Sequence, residues 1–174
     1  MTARVNEPKR PATAAEFKAM AHPLRLRILR LCLHDAMTNK ELAERLGKDP
    51  ATVLHHVRLL VRTGFLTADK VRTGARGALE KPYRATGKSW VLSATTPEQE
   101  KTEQAAVLDA LKAELSETPG DDVLAGARLG VQLSPSAVKR YSARIDKLVR
   151  DLAAEPDAAD GERLGFYVTW HRRR

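Results

Sequence analysis

The sequence predicts a mainly α-helical protein with a small amount of β-structure. An N-terminal winged helix-turn-helix is followed by a C-terminal helix-strand-helix-strand region. Three observations predict this fold class. Residues 22–66 carry three short helix signals in close succession, and a basic stretch containing glycine follows them. The second half then holds two longer amphipathic patterns, each followed by a short run typical of a strand.

The first of the three short helices is predicted to begin at Pro23. A proline suits the first helical position, because its missing N–H would have no intrahelical partner there. Leu24, Ile28 and Leu31 then recur at spacings of four and three residues, which places them on one face. The segment is therefore expected to pack that face against a core.

The second and third helices have local start and stop signals of their own. Thr38 and Glu41 form a capping box at the start of the second helix, and Gly47 suits the left-handed residue that closes it. The third helix begins with Asp49 as N-cap and Pro50 at the first helical position. About four residues separate the two helices, as in a helix-turn-helix. The residues predicted to face inward are Leu42, Ala43, Leu46, Val53, Leu54, Val57 and Leu60.

A wing is predicted after the third helix. Residues 64–67 can open a strand, residues 72–77 form a loop with two glycines and two arginines, and residues 81–86 can form the return strand. Pro82 indicates an edge strand, because proline cannot donate a ladder hydrogen bond.

These segments together resemble the DNA-binding domain of the ArsR/SmtB winged-helix repressor family. The resemblance covers roughly the first half of the chain and implies a winged-helix repressor that binds DNA. The residues that carry it are the opening His22-Pro23-Leu24-Arg25 with Ile28-Leu29, the helix over 38–47, the helix over 51–60 with its central histidine, and Gly64-Phe65-Leu66 leading into the wing.

The chain departs from that family in two respects. Metal-sensing members carry a paired-cysteine motif, whereas the corresponding residues 30–35 contain the single cysteine Cys32. The chain also continues well past the wing. We therefore expect no metal site and no cofactor, and a chain similar to longer regulators that carry a C-terminal dimerisation or sensing domain.

Composition and charge agree with a DNA-binding protein. Residues 1–94 contain 18 Lys and Arg against 8 Asp and Glu, whereas residues 95–174 contain 12 against 14. A basic domain beside a near-neutral one is typical of a DNA reader joined to a protein-contact module. A single cysteine, the lack of a long apolar run and the lack of a signal-peptide pattern predict a cytoplasmic protein without membrane contact.

Three regions are predicted: a flexible N-terminal arm over 1–12, the winged helix-turn-helix over 13–94 and a C-terminal α/β domain over 95–174. The last is expected to contain helices over 96–115 and 134–154 and strands over 127–133 and 164–170. Because one reading helix contacts too few bases, we expect a homodimer joined by the two helices. The predicted dimerisation residues are Leu108, Leu111, Leu115, Val138, Tyr141, Ile145, Leu148 and Leu152.

DNA recognition divides into contacts that give affinity and contacts that give specificity. The predicted phosphate contacts are Thr38, Lys40, Lys48, Arg62, Arg72 and Arg76. The predicted base contacts lie near the start of the third helix and are Ala51, Thr52, His55, His56 and Arg58. Two alternatives stay open: one of the two histidines packs under the wing, and Arg58 pairs with Glu80 or Asp69.

Other functions are weighed against sequence-specific regulation. The chain lacks the motifs of phosphate loops, nucleophile elbows and metal clusters, so an enzyme is not expected. A protein-contact winged helix would have an apolar reading face, whereas this one is polar. A sequence-independent architectural DNA-binding protein stays open. So does a sensor of an unknown small-molecule effector, with a pocket between the two domains near Trp90, Phe166, Tyr167 and Trp170.

Overall fold

The computed structural model describes residues 7–74, 77–127, 129–156, 158 and 160–172. Its α-carbon contacts divide the chain into two compact units, Glu7–Ala125 and a second that contains residues 126–172. The helices are α1 Ala14–Met20, α2 Pro23–Leu31, α3 Asn39–Leu46, α4 Pro50–Arg62, α5 Pro97–Glu117 and α6 Pro135–Ala154. The strands are β1 Arg10–Pro11, β2 Leu66–Ala68, β3 Arg72–Thr73, β4 Leu79–Glu80, β5 Tyr83–Ala85 and β6 Leu92–Ser93. The predicted class, mainly helical with small sheets, is confirmed.

The three helices of the helix-turn-helix begin where the sequence signals predict. The Thr38 hydroxyl accepts a hydrogen bond from the Glu41 N–H at 3.2 Å, and the Glu41 carboxylate accepts one from the Thr38 N–H at 2.7 Å. Gly47 closes α3 with a φ of 59°, a conformation that costs other residues a steric penalty. The Asp49 carboxylate then caps α4 by accepting a hydrogen bond from the Thr52 N–H at 2.9 Å.

One apolar core holds α2, α3 and α4 together. The inward faces of these helices meet residues from the start and end of the wing, and all of the contributing side chains are almost fully removed from water. Such burial is the main stabilising term for a domain of this size. The core side chains are Ala19, Ile28, Cys32, Leu42, Ala43, Leu46, Val53, Val57, Leu60, Phe65, Leu66 and Ala85.

The wing is formed by two short antiparallel ladders. At its base, β2 pairs with β5, with Leu66 opposite Ala85. Further out, β3 pairs with β4, with Arg72 opposite Glu80. Arg72 was predicted to lie in the loop and instead lies in a strand. Met37 forms an additional bridge to Tyr83, which joins the segment before α3 to the base of the wing.

Helix α1 was not predicted, although its capping box at Thr13 and Glu16 is a local signal of the same kind as that of α3. Glu16 is buried. It receives hydrogen bonds from Arg10 at 2.6 and 2.9 Å and an ion pair from Lys88 at 2.6 Å. The Arg10 hydrogen bonds, helped by Lys88 and opposed by burial, hold the pKa of Glu16 well below its usual range. This network holds the chain before α1 in place, and Arg10 itself lies in a strand paired with β6. The described part of the predicted flexible arm therefore includes a strand.

Helix α5 packs against α2 and α1, inside the same compact unit as the winged helix. Its buried residues are Ala106 and Ala110. Arg30 pairs with Glu114 at 2.9 Å, and Arg27 pairs with Glu117, so the end of α5 is tied to α2. The boundary between the compact units therefore lies after Ala125 rather than at 94, the position predicted from charge and helix signals.

Among its described residues, the second unit contains α6, and the others lie in neither an α-helix nor a strand. The predicted strands over 127–133 and 164–170 are wrong, because none of their described residues is in a strand. An extended run becomes a strand only where a neighbour satisfies its N–H and C=O groups. Among the described residues, no helix combines the length and the apolar character needed to cross a bilayer.

Candidate nucleic-acid interface

Helix α4 has one buried face and one polar exposed face. Val53, Val57 and Leu60 are fully buried, which fixes the rotation of the helix about its own axis. A hydrogen bond of 2.9 Å from the Asn39 side chain to the Pro50 carbonyl holds the start of α4 against α3. The outer face is therefore presented to solvent by a rigid support. Its exposed residues are Ala51, Thr52, His55, Arg58, Val61 and Arg62.

Four of the five predicted base-contacting residues lie on this exposed face: Ala51, Thr52, His55 and Arg58. They recur at helical spacing within the first nine residues of α4. In a helix-turn-helix, the N-terminal part of the second helix contacts base edges. Thr52 is oriented by the Asp49 cap, and the Asp49 carboxylate itself disfavours a phosphate at this helix end.

His56 is the exception and corrects the prediction. Its side chain is 9% exposed, and its ring packs 4.6 Å from the ring of His22. Arg25 lies 3.3 Å from its Nδ1 atom and also donates hydrogen bonds to the Lys18 and Ala19 carbonyls. Burial, with repulsion from His22 and Arg25, lowers the pKa of His56 to about 4. The ring is thus a neutral packing group on the buried face of α4 and does not contribute to the exposed face.

Arg58 and Arg62 add positive charge to the outer face. Within the described ranges, neither forms an ion pair. The alternative partners considered for Arg58 are engaged elsewhere, because Asp69 pairs with Arg84 at 2.9 Å and Glu80 pairs with Arg72 at 3.2 Å. Both arginines on α4 can therefore contact an anion without first breaking an ion pair.

The predicted phosphate contacts have different environments. Thr38 is buried, and its hydroxyl is used within the capping box, so this side chain does not reach an external phosphate. Lys40 and Lys48 are exposed, although Lys40 lies 3.9 Å from Glu44. Arg62 extends from the last turn of α4.

Arg72 of the wing is a further positively charged side chain, and two carboxylates already hold it. Arg72 is half-exposed, and its guanidinium pairs with both Glu80 of β4 and Glu41 of α3. The predicted contact Arg76 lies outside the described residues. A phosphate at Arg72 would have to compete with two carboxylates, a feature that the positive charge of the segment did not reveal.

Neither metal nor thiol chemistry has a built site in the part of the chain that the structure describes. No group of three or more potential metal ligands occurs there. Cys32 is fully buried, and burial raises the pKa of its thiol to about 12, so it behaves as a small apolar side chain. A cleft lined by residues that include Phe17, Met20, Leu92 and Glu103 has room for about one water molecule.

Sequence reasoning missed Arg25, which links α1 to α4 from a buried position. An arginine in an amphipathic helix is usually solvated, and the contact of Arg25 with His56 joins residues that are 31 positions apart in sequence. The pairing of Arg72 with Glu41 was missed because the two residues are 31 positions apart in sequence. The pairing with Glu80 was missed because Arg72 was predicted to lie in the loop and not in a strand.

Comparison with known families supports the helix-turn-helix. Residues 20–68 match the sequence model of a family described as a helix-turn-helix domain. The match includes α2, α3, α4 and the first strand of the wing. No curated protein matches the chain.

Solved structures give weaker likenesses. One is the crystal structure of MepR, a transcription regulator of the Staphylococcus aureus multidrug efflux pump MepA. It is 18% identical, with 77% of this chain and 78% of that chain covered and a TM-score of 0.30. Another is the S. aureus MepR–DNA complex, at 16% identity, 78% and 82% coverage and a TM-score of 0.30. These scores are too low to carry a conclusion about this chain. The class defined by its own geometry is a winged helix-turn-helix.

Proposed function

We propose that the protein is a sequence-specific DNA-binding transcriptional regulator that acts as a repressor and binds an inverted-repeat operator as a homodimer. The observation that carries the proposal is the exposed polar face of α4, held by a buried apolar face and flanked by a basic wing. A helix presented in this way fits the major groove. Repression is favoured over activation for two reasons. A dimer bound at a promoter blocks transcription without any additional protein, and the ArsR/SmtB family that the sequence resembles consists of repressors.

Base discrimination is assigned to Ala51, Thr52, His55 and Arg58. The methyl groups of Ala51 and Thr52 suit a thymine methyl, and the imidazole of His55 can donate to a guanine acceptor. Arg58 lies one turn further along the same face and can grip either a guanine or a phosphate. His56 is omitted from this set because it is buried.

Affinity is assigned to cations around this face. Lys40 lies in the first turn of α3, Lys48 follows the Gly47 cap that closes α3, and Arg62 is the last residue of α4. Arg72 joins them when a phosphate replaces Glu41 or Glu80 as its partner. Such contacts release counterions, so binding should weaken as salt rises. Arg76 keeps its predicted place in this group.

The homodimer is supported by apolar side chains that the chain leaves uncovered. On α5, Leu108 and Leu115 are 44% and 50% exposed, whereas Ala106 and Ala110 face the inside. On α6, Leu148 and Leu152 are each 48% exposed. Rows of exposed leucines are costly in water and are typical of an interface. The other proposed interface residues are Leu111, Val138, Tyr141 and Ile145.

Two alternatives differ in what they require. An architectural protein would need the cations but no discrimination by α4. A ligand-responsive sensor would need an effector pocket, and the cleft beside Phe17 is too small for one in this conformation. The exposed polar face of α4 favours sequence-specific reading over architectural binding, and an effector stays open as an addition to it.

The test is selection of genomic DNA fragments by the purified full chain at two salt concentrations, followed by sequencing. We expect a few sites that share an inverted repeat and persist at the higher salt. Diffuse recovery that disappears at higher salt would contradict sequence-specific binding and favour the architectural protein. Enriched sites with a single, non-repeated motif would retain specificity but contradict the dimer.

A further inference from the structure

The apolar stripe of α6 has a geometry suited to pairing with another helix. Val138, Tyr141, Ile145, Leu148 and Leu152 follow one another at alternating spacings of three and four residues. This rhythm keeps a stripe on one side of a helix that winds around a partner. Tyr141 is 38% exposed, and Leu148 and Leu152 are each 48% exposed. The stripe therefore has exposed apolar surface that a partner helix can bury.

The two flanks of this stripe differ in charge. Arg144 and Asp151 are seven residues apart, so two helical turns bring them to nearly the same angle on one flank. Ser142 and Val149, also seven residues apart, occupy the other flank. Helical geometry thus places one basic and one acidic group along one side of the stripe and uncharged side chains along the other.

We propose that this stripe binds the same stripe of a second copy in an antiparallel arrangement. The inference rests on the homodimer of the proposed function and specifies how the α6 helices meet within it. In a parallel symmetric pair, the charged flank of one helix would face the uncharged flank of the other. In an antiparallel pair, each flank faces its own kind, so Arg144 and Asp151 can meet charges while Val149 packs among uncharged groups.

The charges also select the register. With Ile145 opposite Leu148 of the second copy, and Tyr141 opposite Leu152, four of the five stripe residues form apolar layers, and Val138 lies beyond the last layer. Arg144 then lies beside Asp151 of the second copy, and the two-fold axis repeats the pair. Sliding the helices so that Ile145 meets Tyr141 would bring the two copies of Arg144 together. Flanking charges of this kind set the orientation of paired helices more than their affinity.

The local contacts of both charges leave room for this pairing. Lys147 lies 2.6 Å from Asp151 on the same helix, and a carboxylate has acceptor positions for a second donor. The Arg144 guanidinium lies 5.5 Å from the Tyr141 ring centre, so it is already aligned beside the stripe. Both groups are on exposed parts of α6.

Charge exchange tests the arrangement in the full chain. Arg144→Asp places two acidic groups opposite each other, and Asp151→Arg places two basic groups opposite each other. Each change should weaken the dimer about tenfold in sedimentation equilibrium at low salt. The double exchange R144D/D151R should restore it, and a mixture of the two single variants should form heterodimers. Arg150→Asp, on the opposite face of α6, is the matched control and should have no effect.

The outcomes separate this inference from the proposed function. A wild-type chain that stays monomeric at high concentration would overturn both the homodimer and the pairing. A stable dimer that neither single exchange weakens would support the homodimer but overturn the antiparallel pairing. The stripe of α6 would then contact another part of the second copy, such as α5. Loss of dimer in both single variants without rescue in the double exchange would also overturn it.

Discussion

Two adjacent histidines of α4 have opposite environments because successive helical positions differ by about 100°. His55 is exposed on the outer face, whereas His56 is buried against Arg25 and His22. A guanidinium can only donate, so the Nδ1 atom of His56 must accept, and the proton of the neutral ring lies on Nε2. Protonation would place a second donor against Arg25. The packing of His56 therefore helps to fix the rotation of α4 and requires a neutral imidazole ring.

The neutral state of His56 predicts a pH dependence of stability. Its pKa is about 4 in the folded chain, and an unfolded histidine has a pKa of about 6.5. The unfolded chain therefore binds more protons between these values, so the free energy of unfolding falls as pH decreases through this window. Below about pH 4 the loss levels off. His56→Asn keeps an acceptor but does not titrate, so between pH 7 and 4.5 it should lose about 2 kcal/mol less than the wild type.

Urea unfolding at several pH values measures this difference. His22 is present in both proteins and also has a pKa lowered by burial, so its burial affects both unfolding curves. Parallel curves for the two proteins would mean that His56 is not held neutral in the folded chain.

At the scale of elements, helix α5 has one face that packs against α2 and a second face that is exposed. Ala106 and Ala110 are small enough to let α5 approach α2 closely, and the ion pair of Arg30 with Glu114 fixes its far end. Leu108 and Leu115 point away from this contact and remain exposed. One face therefore stabilises the winged helix, and the other is free for the proposed dimer.

The two faces should respond differently to substitution. Leu108→Ser with Leu115→Ser should weaken dimerisation at least about tenfold, because each leucine loses burial worth roughly 1 kcal/mol or more in the dimer. The free energy of unfolding of the dilute monomer should hardly change. Ala110→Leu should instead overpack the contact with α2 and cost about 1–3 kcal/mol of stability.

Sedimentation equilibrium reports the dimer, and urea unfolding at low protein concentration reports the monomer. The assignment of the faces would be wrong if the serine variant unfolded easily while dimerising normally, or if Ala110→Leu left stability unchanged.

At the scale of the whole molecule, features set by neighbouring residues could be predicted from the sequence, whereas features set by residues distant in sequence could not. The caps at Thr38, Gly47 and Asp49 are local, and the predicted starts of the helices are confirmed. The burial of His56 depends on Arg25, which is 31 residues away in sequence, so helical periodicity could not settle it. The segments predicted as strands over 127–133 and 164–170 had suitable side chains, but their described residues form no strand.

Placing α5 in the same unit as the winged helix likewise depends on a distant contact. Arg30 and Glu114 are 84 residues apart, whereas the charge balance and the local helix signals suggested that the domain ended before α5. The regulator we propose is thus a reading unit that includes its own support helix, followed by a unit whose stripe on α6 is available to a second copy.

The central claim is that the outer face of α4 reads bases, and His55→Ala tests it most directly. Wild type and variant would each select from a random duplex library, with Arg30→Ala, an arginine of α2 that pairs with α5, as control. We predict that His55→Ala loses preference at one position in each half-site, worth about 1–3 kcal/mol, while Arg30→Ala selects the wild-type sequence. An unchanged preference at every position in the His55→Ala selection would contradict the assignment of His55 and the orientation of the reading helix.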